Sequence, residues 1–270
     1  MGLILLYISI NIIFITALFT LGVKAGRSGR AAEYSAVAAA FLIMLAQVFL
    51  YYHPEIEIRV FPFIDYAYFR WWGASFIFLA IGARFEKLKA ESKNFAPLML
   101  VMAILAIAFL WRISLFNTDN EFDEAGFFRG VCFQSTGHTC SPASCVLLLK
   151  KFGVKAGEAE MSKLCLTQLT GTEYINIVRG LRLKLDPDKY EVNLTRETWD
   201  GLKDIELPFI TNIYVLDGIL HTVTVLDIRT EEVTLADPLE GRTVVYKKDK
   251  FIKTWEKLVV HIKTKTYQGL

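Results

Sequence analysis

Four residues in the second half of the chain have side chains suited to nucleophilic chemistry: Gln134, Cys140, His221 and Asp237. A thiolate can attack a carbonyl carbon, and an imidazole can take and return the proton. A carboxylate can orient the imidazole, and an amide can donate a hydrogen bond to the oxyanion that forms. Catalytic groups are recognised by geometry and role, so their order along a chain differs among folds. These residue types predict acyl transfer through a cysteine nucleophile.

Cys140 lies two residues before Pro142, where an apolar run begins. Proline is favoured in the first turn of a helix because its missing N–H has no partner there in any case. The run therefore predicts a helix from Pro142 to Phe152, closed by Gly153. Unpaired N–H groups and the positive end of the helix dipole lower a cysteine pKa from ~8.5 into roughly the 3.5–7.5 range. Cys140 is predicted to be an unusually acidic thiol.

The other patterns place helices first and strands second in this half of the chain. Such a layout is typical of an α+β domain with an antiparallel sheet. His221 begins one predicted strand, and Asp237 directly follows the next. The predicted elements are helices near Glu158–Leu166, from about Thr172 to Arg182 and near Thr195–Lys203, a helix near Asp249–Glu256, and strands near Tyr190–Leu194, Pro208–Leu216, His221–Ile228, Val233–Ala236, Thr243–Tyr246 and Leu258–Lys263, with a turn at Asp217-Gly218.

These site residues also have structural interpretations. A cysteine taken alone is more often a buried thiol than a nucleophile. Asp237 stands before Pro238 and is a good turn residue for that reason alone. His138 lies close to Cys140 in sequence and is an alternative base. It shares a loop with the cysteine, whereas a base approaches the sulfur across a cleft, so His221 is favoured.

The combined set resembles the papain-like cysteine peptidases of the bacteriocin-processing family, which remove double-glycine leader peptides. The resemblance covers roughly residues 128–262. The matching motifs are Gln134-Ser135, Thr139-Cys140-x-Pro142-Ala143-Ser144, His221-x-Val223 and Asp237-Pro238-x-x-Gly241. The resemblance implies Cys140 as nucleophile, His221 as general base and acid, and Asp237 as its orienting partner. It also implies Gln134 as an oxyanion-hole donor beside the Cys140 backbone N–H.

Two features depart from that family. Ser141 stands where the family usually has glycine, directly after the nucleophile. Many relatives form the cytosolic N-terminus of an ABC transporter, whereas this domain follows a membrane region. The sequence has no glycine-rich Walker A loop, so we expect no nucleotide-binding domain in this chain.

The first part of the chain has the composition of a membrane region. Residues 1–116 contain 10 Lys and Arg and 6 Asp and Glu, against 20 and 22 in residues 117–270. We therefore predict a four-span transmembrane region over 1–116 and a papain-like peptidase domain over 117–270. The four transmembrane helices are predicted at about Gly2–Val23, Ala31–Tyr52, Tyr66–Ala83 and Ala96–Trp111, or to Phe116 if Arg112 reaches the interface.

Loop charges predict the orientation of these spans. The first and third connections are basic and the middle one is mainly acidic, and basic loops stay in the cytoplasm. Both termini and the peptidase domain are then expected on the periplasmic or extracellular side of a bacterial cell membrane. The basic residues are Lys24, Arg27 and Arg30 in the first connection, and Arg84, Lys87, Lys89 and Lys93 in the third.

An oxidising compartment permits disulfide bonds, although connectivity is not fixed by sequence. If Cys140 stays free, a Cys132–Cys165 disulfide is favoured, and the alternative is that all four cysteines are buried thiols. Their spacing fits no closed zinc arrangement, so we expect neither a metal nor a cofactor. The near-neutral soluble part offers no basic field for nucleic acid. The expected partners are a peptide or protein substrate and membrane lipid.

The sequence thus predicts a membrane-anchored cysteine peptidase that cleaves a peptide bond in an exported or membrane-associated protein or peptide. Two alternatives remain at this point. Ser141 permits a non-catalytic peptide-binding domain of the same fold. The second alternative is an amidase or transferase acting on cell-wall peptide, because papain-like sites perform several acyl transfers on one scaffold.

Overall fold

The structure is a computed structural model that describes residues 2–68, 70, 72–91, 126–128, 130–216 and 218–265. The chain divides into two compact units. The first contains Met1–Glu57 and Asp65–Phe116, and the second contains Ile58–Ile64 and Asn117–Leu270. The predicted fourth span, 96–111, lies outside the described residues.

In the first unit, the helices α1 (Gly2–Ser28) and α2 (Arg30–Tyr52) follow one another closely. Within the described part of the chain, they are the two helices long and apolar enough to cross a membrane. They coincide with the first two predicted spans. A short helix, α3 (Pro54–Val60), follows.

The third predicted span, Tyr66–Ala83, is not one continuous helix, so this prediction is wrong for the described residues. Two 3₁₀ turns come first, and helix α4 (Ile77–Glu91) follows. The reason is a buried ion pair that ties the irregular stretch to α3: Arg70 Nη2 lies 2.8 Å from Glu57 Oε2, and Tyr66 donates a 2.8 Å hydrogen bond to Oε1 of the same carboxylate. A buried charge requires such partners, and this geometry holds the chain out of a regular helix.

Glycines lie where helices α1 and α4 pack closely. A Cβ on Gly22 would lie 2.2 Å from the Leu79 carbonyl oxygen, and one on Gly82 would lie 2.2 Å from the Phe19 carbonyl oxygen. No side chain fits at either position. Small residues of this kind allow helix backbones to approach one another in membrane proteins.

Among the described residues of the second unit, three helices precede a six-stranded antiparallel sheet, which confirms the predicted α+β layout. The elements are β1 (Phe127–Phe128), β2 (Val131–Cys132), α5 (Cys140–Lys151), α6 (Glu158–Leu164), α7 (Tyr174–Lys184), β3 (Tyr190–Arg196), β4 (Phe209–Leu216), β5 (Ile219–Ile228), β6 (Glu232–Asp237), β7 (Arg242–Lys247), α8 (Lys248–Thr254) and β8 (Leu258–Thr264). The sheet order is β3-β8-β4-β5-β6-β7, and a small hairpin of β1 and β2 precedes the helices.

The helix predicted near Thr195–Lys203 is wrong. Thr195 and Arg196 continue β3 and pair with Val259 and Leu258 of β8, and only a 3₁₀ turn at Gly201–Asp204 is helical. Pairing with β8, which is distant in sequence, satisfies the backbone hydrogen bonds here. This tertiary pairing overrides the local helical preference.

The predicted Cys132–Cys165 disulfide is not formed, because all four cysteines are free thiols. Cys165 instead forms a hydrogen bond with Cys145 of α5. It also fills the space opposite Gly180, where a Cβ would lie 2.2 Å from the Cys165 sulfur. Cys132 is buried near Glu158, and this burial, with the nearby carboxylate, raises the pKa of the Cys132 thiol to about 12.

A hydrophobic core supports β4, β5 and β6. Its fully buried members include Phe209, Val223 and Leu235, one from each strand. Phe251 of α8 closes the core, with its ring 5.4 Å from Trp255 and 6.3 Å from Trp199 between centroids. The relative position of the central strands therefore depends on these aromatic rings.

We predict that Phe251→Ala lowers the free energy of unfolding of this unit by about 3–5 kcal/mol, because it leaves a cavity among fully buried side chains. Hydrogen–deuterium exchange of β5 and β6 peptides in the detergent-solubilised full chain would measure the change. Val245→Ala removes a side chain that is 58% exposed and should leave exchange unchanged. Equal protection in the two variants would contradict this assignment of the core.

Candidate active site

Cys140 is the first residue of helix α5, two residues earlier than the predicted start at Pro142. The first turn is formed by a hydrogen bond from the Ala143 N–H to the Thr139 carbonyl, 3.1 Å long. The helix ends at Lys151, and Gly153 adopts φ +70°, the left-handed conformation that closes many helices. The half-buried sulfur of Cys140 thus lies where the helix dipole stabilises a thiolate.

His221 and Asp237 lie on neighbouring strands of the sheet. His221 is on β5, and Asp237 is the last residue of β6. The two strands are antiparallel, so the early part of β5 lies beside the end of β6. His221 Nε2 is 2.7 Å from Asp237 Oδ1, and both side chains are buried.

The Asp237 carboxylate is also part of a turn. Its Oδ1 accepts hydrogen bonds from the backbone N–H groups of Leu239, at 2.9 Å, and Glu240, at 3.3 Å. The Gly241 N–H closes the turn on the Asp237 carbonyl at 2.9 Å. Asp237 is therefore both a turn residue and the hydrogen-bond partner of His221, so the two interpretations of Asp237 from the sequence are compatible.

The His221 ring forms a second hydrogen bond, to the Cys140 sulfur. Because Nε2 is hydrogen-bonded to Asp237, the other ring nitrogen, Nδ1, is left for the sulfur. The structure therefore brings together Cys140, His221 and Asp237 from a helix and two strands. This chain of contacts suits a base that shares the proton of a nucleophile and is oriented by a carboxylate.

The contacts favour the charged forms of both reacting side chains. Burial opposes a thiolate, but hydrogen bonds from His221 and from the Thr222 backbone outweigh it and lower the pKa of Cys140. Burial likewise opposes a charged imidazole, but the bonds to Asp237 and Cys140 raise the pKa of His221 to about 9. At neutral pH the arrangement therefore favours a thiolate beside an imidazolium.

Gln134 is buried on the loop that leads to α5. Its backbone N–H donates to the Pro238 carbonyl at 2.9 Å, which ties this loop to the Asp237 turn. Its side-chain Nε2 donates to the Thr136 carbonyl at 2.7 Å. An amide nitrogen carries two hydrogens, so a second one is left for another acceptor.

Several buried polar residues around the site were not predicted from the sequence. Glu158 Oε1 accepts from the Ser135 N–H at 2.9 Å and holds the Gln134 loop. Thr222 follows His221 and contacts both Cys140 and Ser141. The sequence held one signal for them, the hydroxyl residues Thr222 and Thr224 at alternate positions of a predicted strand. Hydroxyl groups on a buried strand need polar partners.

We predict that Cys140 is alkylated by iodoacetamide with a midpoint well below the ordinary thiol pKa of about 8.5. Its thiolate persists down to its lowered pKa, and the rate falls only as the pH drops through that value. His221→Ala removes the main stabilising partner and should move the midpoint up.

Mass spectrometry of the labelled residue would follow the rate. Cys132, Cys145 and Cys165 are at most 1% exposed and should label slowly in the folded chain. An unchanged midpoint in His221→Ala would contradict the ion pair.

Comparison with known proteins identifies this domain. The model of the Peptidase C39 family matches residues 129–267. The lactococcin-G-processing and transport ATP-binding protein LagD of Lactococcus lactis is 28% identical over 137 residues, which are 51% of this chain and 19% of LagD. An uncharacterised protein of Methanothermobacter marburgensis is 29% identical over 109 residues, 40% of this chain and 71% of that protein.

Two solved structures are similar over about half of the chain. The peptidase domain of Streptococcus ComA, a bifunctional ABC transporter involved in quorum sensing, is 19% identical with a TM-score of 0.45, over 50% of this chain and 98% of that domain. A double glycine motif protease from an AMS/PCAT transporter is 16% identical with a TM-score of 0.45, over 55% of this chain and 97% of that one. The family match covers more than half of the sequence, and it confirms the resemblance stated above: the chain belongs to the Peptidase C39 family of cysteine peptidases.

Proposed function

We propose that the chain is a membrane-anchored leader peptidase in which Cys140 is the nucleophile, His221 the general base and acid, and Asp237 the residue that orients the imidazole. This proposal rests on the two hydrogen bonds of the His221 ring. One joins the ring to the Cys140 sulfur, and the other joins it to Asp237 at 2.7 Å. Thiol nucleophiles require such a base and orienting group.

In the first half of the reaction, the Cys140 thiolate attacks the carbonyl carbon of the scissile peptide bond. The oxyanion accepts hydrogen bonds from the Cys140 backbone N–H and from the second Nε2 hydrogen of Gln134. His221, as imidazolium, gives its proton to the leaving nitrogen, and the C–N bond breaks. The products of this half are a free amine and a thioester on Cys140.

In the second half, neutral His221 takes a proton from a water molecule as the oxygen attacks the thioester carbon. The C–S bond breaks, which releases the Cys140 thiolate and a carboxylic acid product, and this acid then loses its proton to solvent. His221 is again an imidazolium, held by Asp237. Throughout both halves Asp237 stays ionised, because burial is outweighed by its bonds to His221 and to two backbone N–H groups, which lower its pKa.

The substrate class we propose is a leader peptide that ends in two glycines. LagD is named for processing lactococcin G, and the family contains peptidases of the double-glycine type. Apolar side chains next to the site suit an apolar leader: Ile219 and Leu220 precede His221 and are 57% and 41% exposed, and Leu239 in the Asp237 turn is 52% exposed. Exposed apolar groups gathered at a site favour an apolar ligand.

We also propose that the N-terminal helices anchor the chain in a membrane and that the peptidase domain lies outside the cytosol. Helices α1 and α2 support the membrane region by length and apolar composition. The basic first connection supports the orientation. The substrate would then be an exported or membrane-associated peptide that arrives on the outer side.

The proposed reaction is tested with the full chain in nanodiscs and a synthetic leader–Gly-Gly–cargo peptide. Cys140→Ala should abolish cleavage after the second glycine. His221→Ala should lower kcat by about 10²–10⁴-fold, and Gln134→Ala by about 10²-fold or more. The wild-type kcat should fall above pH ~9, where His221 loses the proton that it gives to the leaving nitrogen.

Mass spectrometry of the products would identify the bond that is cut. A peptide with Leu-Leu in place of Gly-Gly is the matched substrate control and should stay intact. Cleavage by Cys140→Ala would rule out the proposed nucleophile. Cutting of both peptides would instead rule out the proposed substrate class.

The orientation is tested with a fluorescent protein that matures only in the cytosol. Fused after Leu270, it should stay dark, because the peptidase domain is exported. Fused after Ser28, at the end of α1, it should be bright, because the first connection is basic and cytosolic. Bright cells with the Leu270 fusion would place the peptidase domain in the cytosol.

A further inference from the structure

The two reacting side chains are each followed by a hydroxyl residue, and those hydroxyls bond to one another. Ser141 follows Cys140 and Thr222 follows His221, and Ser141 Oγ lies 2.7 Å from Thr222 Oγ1. Ser141 is 1% exposed and Thr222 is 3% exposed. The Ser141 side chain is therefore directed into the protein beneath the site and does not fill the cleft.

A chain of buried polar groups continues behind this contact. Thr222 Oγ1 donates to Asn212 Oδ1 at 2.8 Å, and Asn212 Nδ2 donates to Glu256 Oε2 at 3.0 Å. The Asn212 backbone N–H donates to the Tyr174 hydroxyl at 2.9 Å. All of these groups come from α7, β4, β5 and the residues just after α8.

The direction of these hydrogen bonds is fixed by chemistry. An ionised carboxylate only accepts hydrogen bonds, so Glu256 holds the NH₂ group of Asn212 and leaves its oxygen facing Thr222. The Thr222 hydroxyl gives its single proton to that oxygen. Ser141 must then donate to Thr222, which means that the whole chain points from the catalytic helix toward Glu256.

The backbone of Thr222 also meets the catalytic helix. The pairing of β5 with β6 begins at Thr224 and Ala236, so Thr222 has no partner in that ladder. The Thr222 N–H donates a hydrogen bond to the Cys140 sulfur. The Thr222 carbonyl accepts a hydrogen bond from Ser144 Oγ at 3.4 Å. Helix α5 therefore occupies the strand edge that β6 leaves open.

We propose that Ser141 and Thr222 are positioning residues, and that their hydroxyl contact, held from behind by Asn212 and Glu256, sets the separation between the Cys140 sulfur and the His221 ring. The inference deepens the proposed function and rests on it. Because the contact joins the residue after the nucleophile to the residue after the base, a small displacement at either hydroxyl moves a reacting atom. Serine at position 141 supplies this contact where glycine has no side chain.

Thr222→Val tests the proposal because it keeps the shape of the side chain and removes the hydroxyl. Ser141 and Asn212 each lose a partner, and the helix and strand are no longer joined at this point. We expect kcat for the Gly-Gly peptide to fall about tenfold, equivalent to about 1.4 kcal/mol, with KM within about twofold. The midpoint of Cys140 alkylation should rise by about one pH unit.

Thr224→Val is the matched control. Thr224 is fully buried two residues further along β5, and its hydroxyl contacts the Ser144 carbonyl at 3.4 Å. The Thr224→Val variant replaces the same hydroxyl on the same strand as Thr222→Val. It should keep the wild-type kcat and alkylation midpoint. Thr222→Ser, which keeps the hydroxyl, should restore both values.

The outcomes separate this inference from the proposed function. Wild-type kcat and alkylation in Thr222→Val, or equal losses in Thr222→Val and Thr224→Val, would overturn the positioning role while the nucleophile assignment stands. Cleavage that persists in Cys140→Ala would overturn the function instead. If Thr222→Val does not fold, Ser141→Ala removes the same contact from the helix side and should lower kcat in the same direction, and an unchanged kcat would overturn the inference.

Discussion

The hydrogen bond between His221 and Asp237 is the interaction on which the site depends. It requires β5 and β6 to be neighbours in one register, so that the early part of one strand lies beside the last residue of the other. It is buried, and a charged hydrogen bond is stronger where water is excluded. The core beneath the central strands therefore determines how well the imidazole is held.

Cys140 and His221 favour their charged forms only as a pair. Burial alone would keep the sulfur protonated and the imidazole neutral, and it is the largest single influence on each. The contact between the two side chains reverses both tendencies, with help from the Thr222 backbone at Cys140 and from the Asp237 carboxylate at His221. Such a pair titrates as a unit, so a change at one residue changes the protonation of the other.

Local patterns predicted those parts of the structure that depend on local physics. Pro142 and Gly153 marked a helix with Cys140 at its start, and the alternation around His221 marked a strand. Arg70 shows why the third span failed: its partner Glu57 lies 13 residues away, and hydropathy does not register a buried ion pair. The helix near Thr195 failed for a similar reason, because its residues pair with β8, more than 60 positions further along the chain.

The partners within the polar chain behind the site could not be predicted from the sequence for the same reason. Ser141 and Thr222 are separated by 81 positions, and Asn212 and Glu256 by 44. Each of these residues is ordinary on a surface and becomes informative only when it is known to be buried. The sequence marked Ser141 as a departure from the family, and only the tertiary structure shows what its hydroxyl contacts.

Asp237 Oδ1 accepts hydrogen bonds from His221 and from the backbone N–H groups of two turn residues. Three donors thus compete for this one oxygen. The strength of its hydrogen bond to the imidazole therefore depends on the geometry of the turn. Replacing non-catalytic residues in the turn alters how strongly the base is held. Such replacements would change the proton affinity of the imidazole while every reacting side chain stays the same.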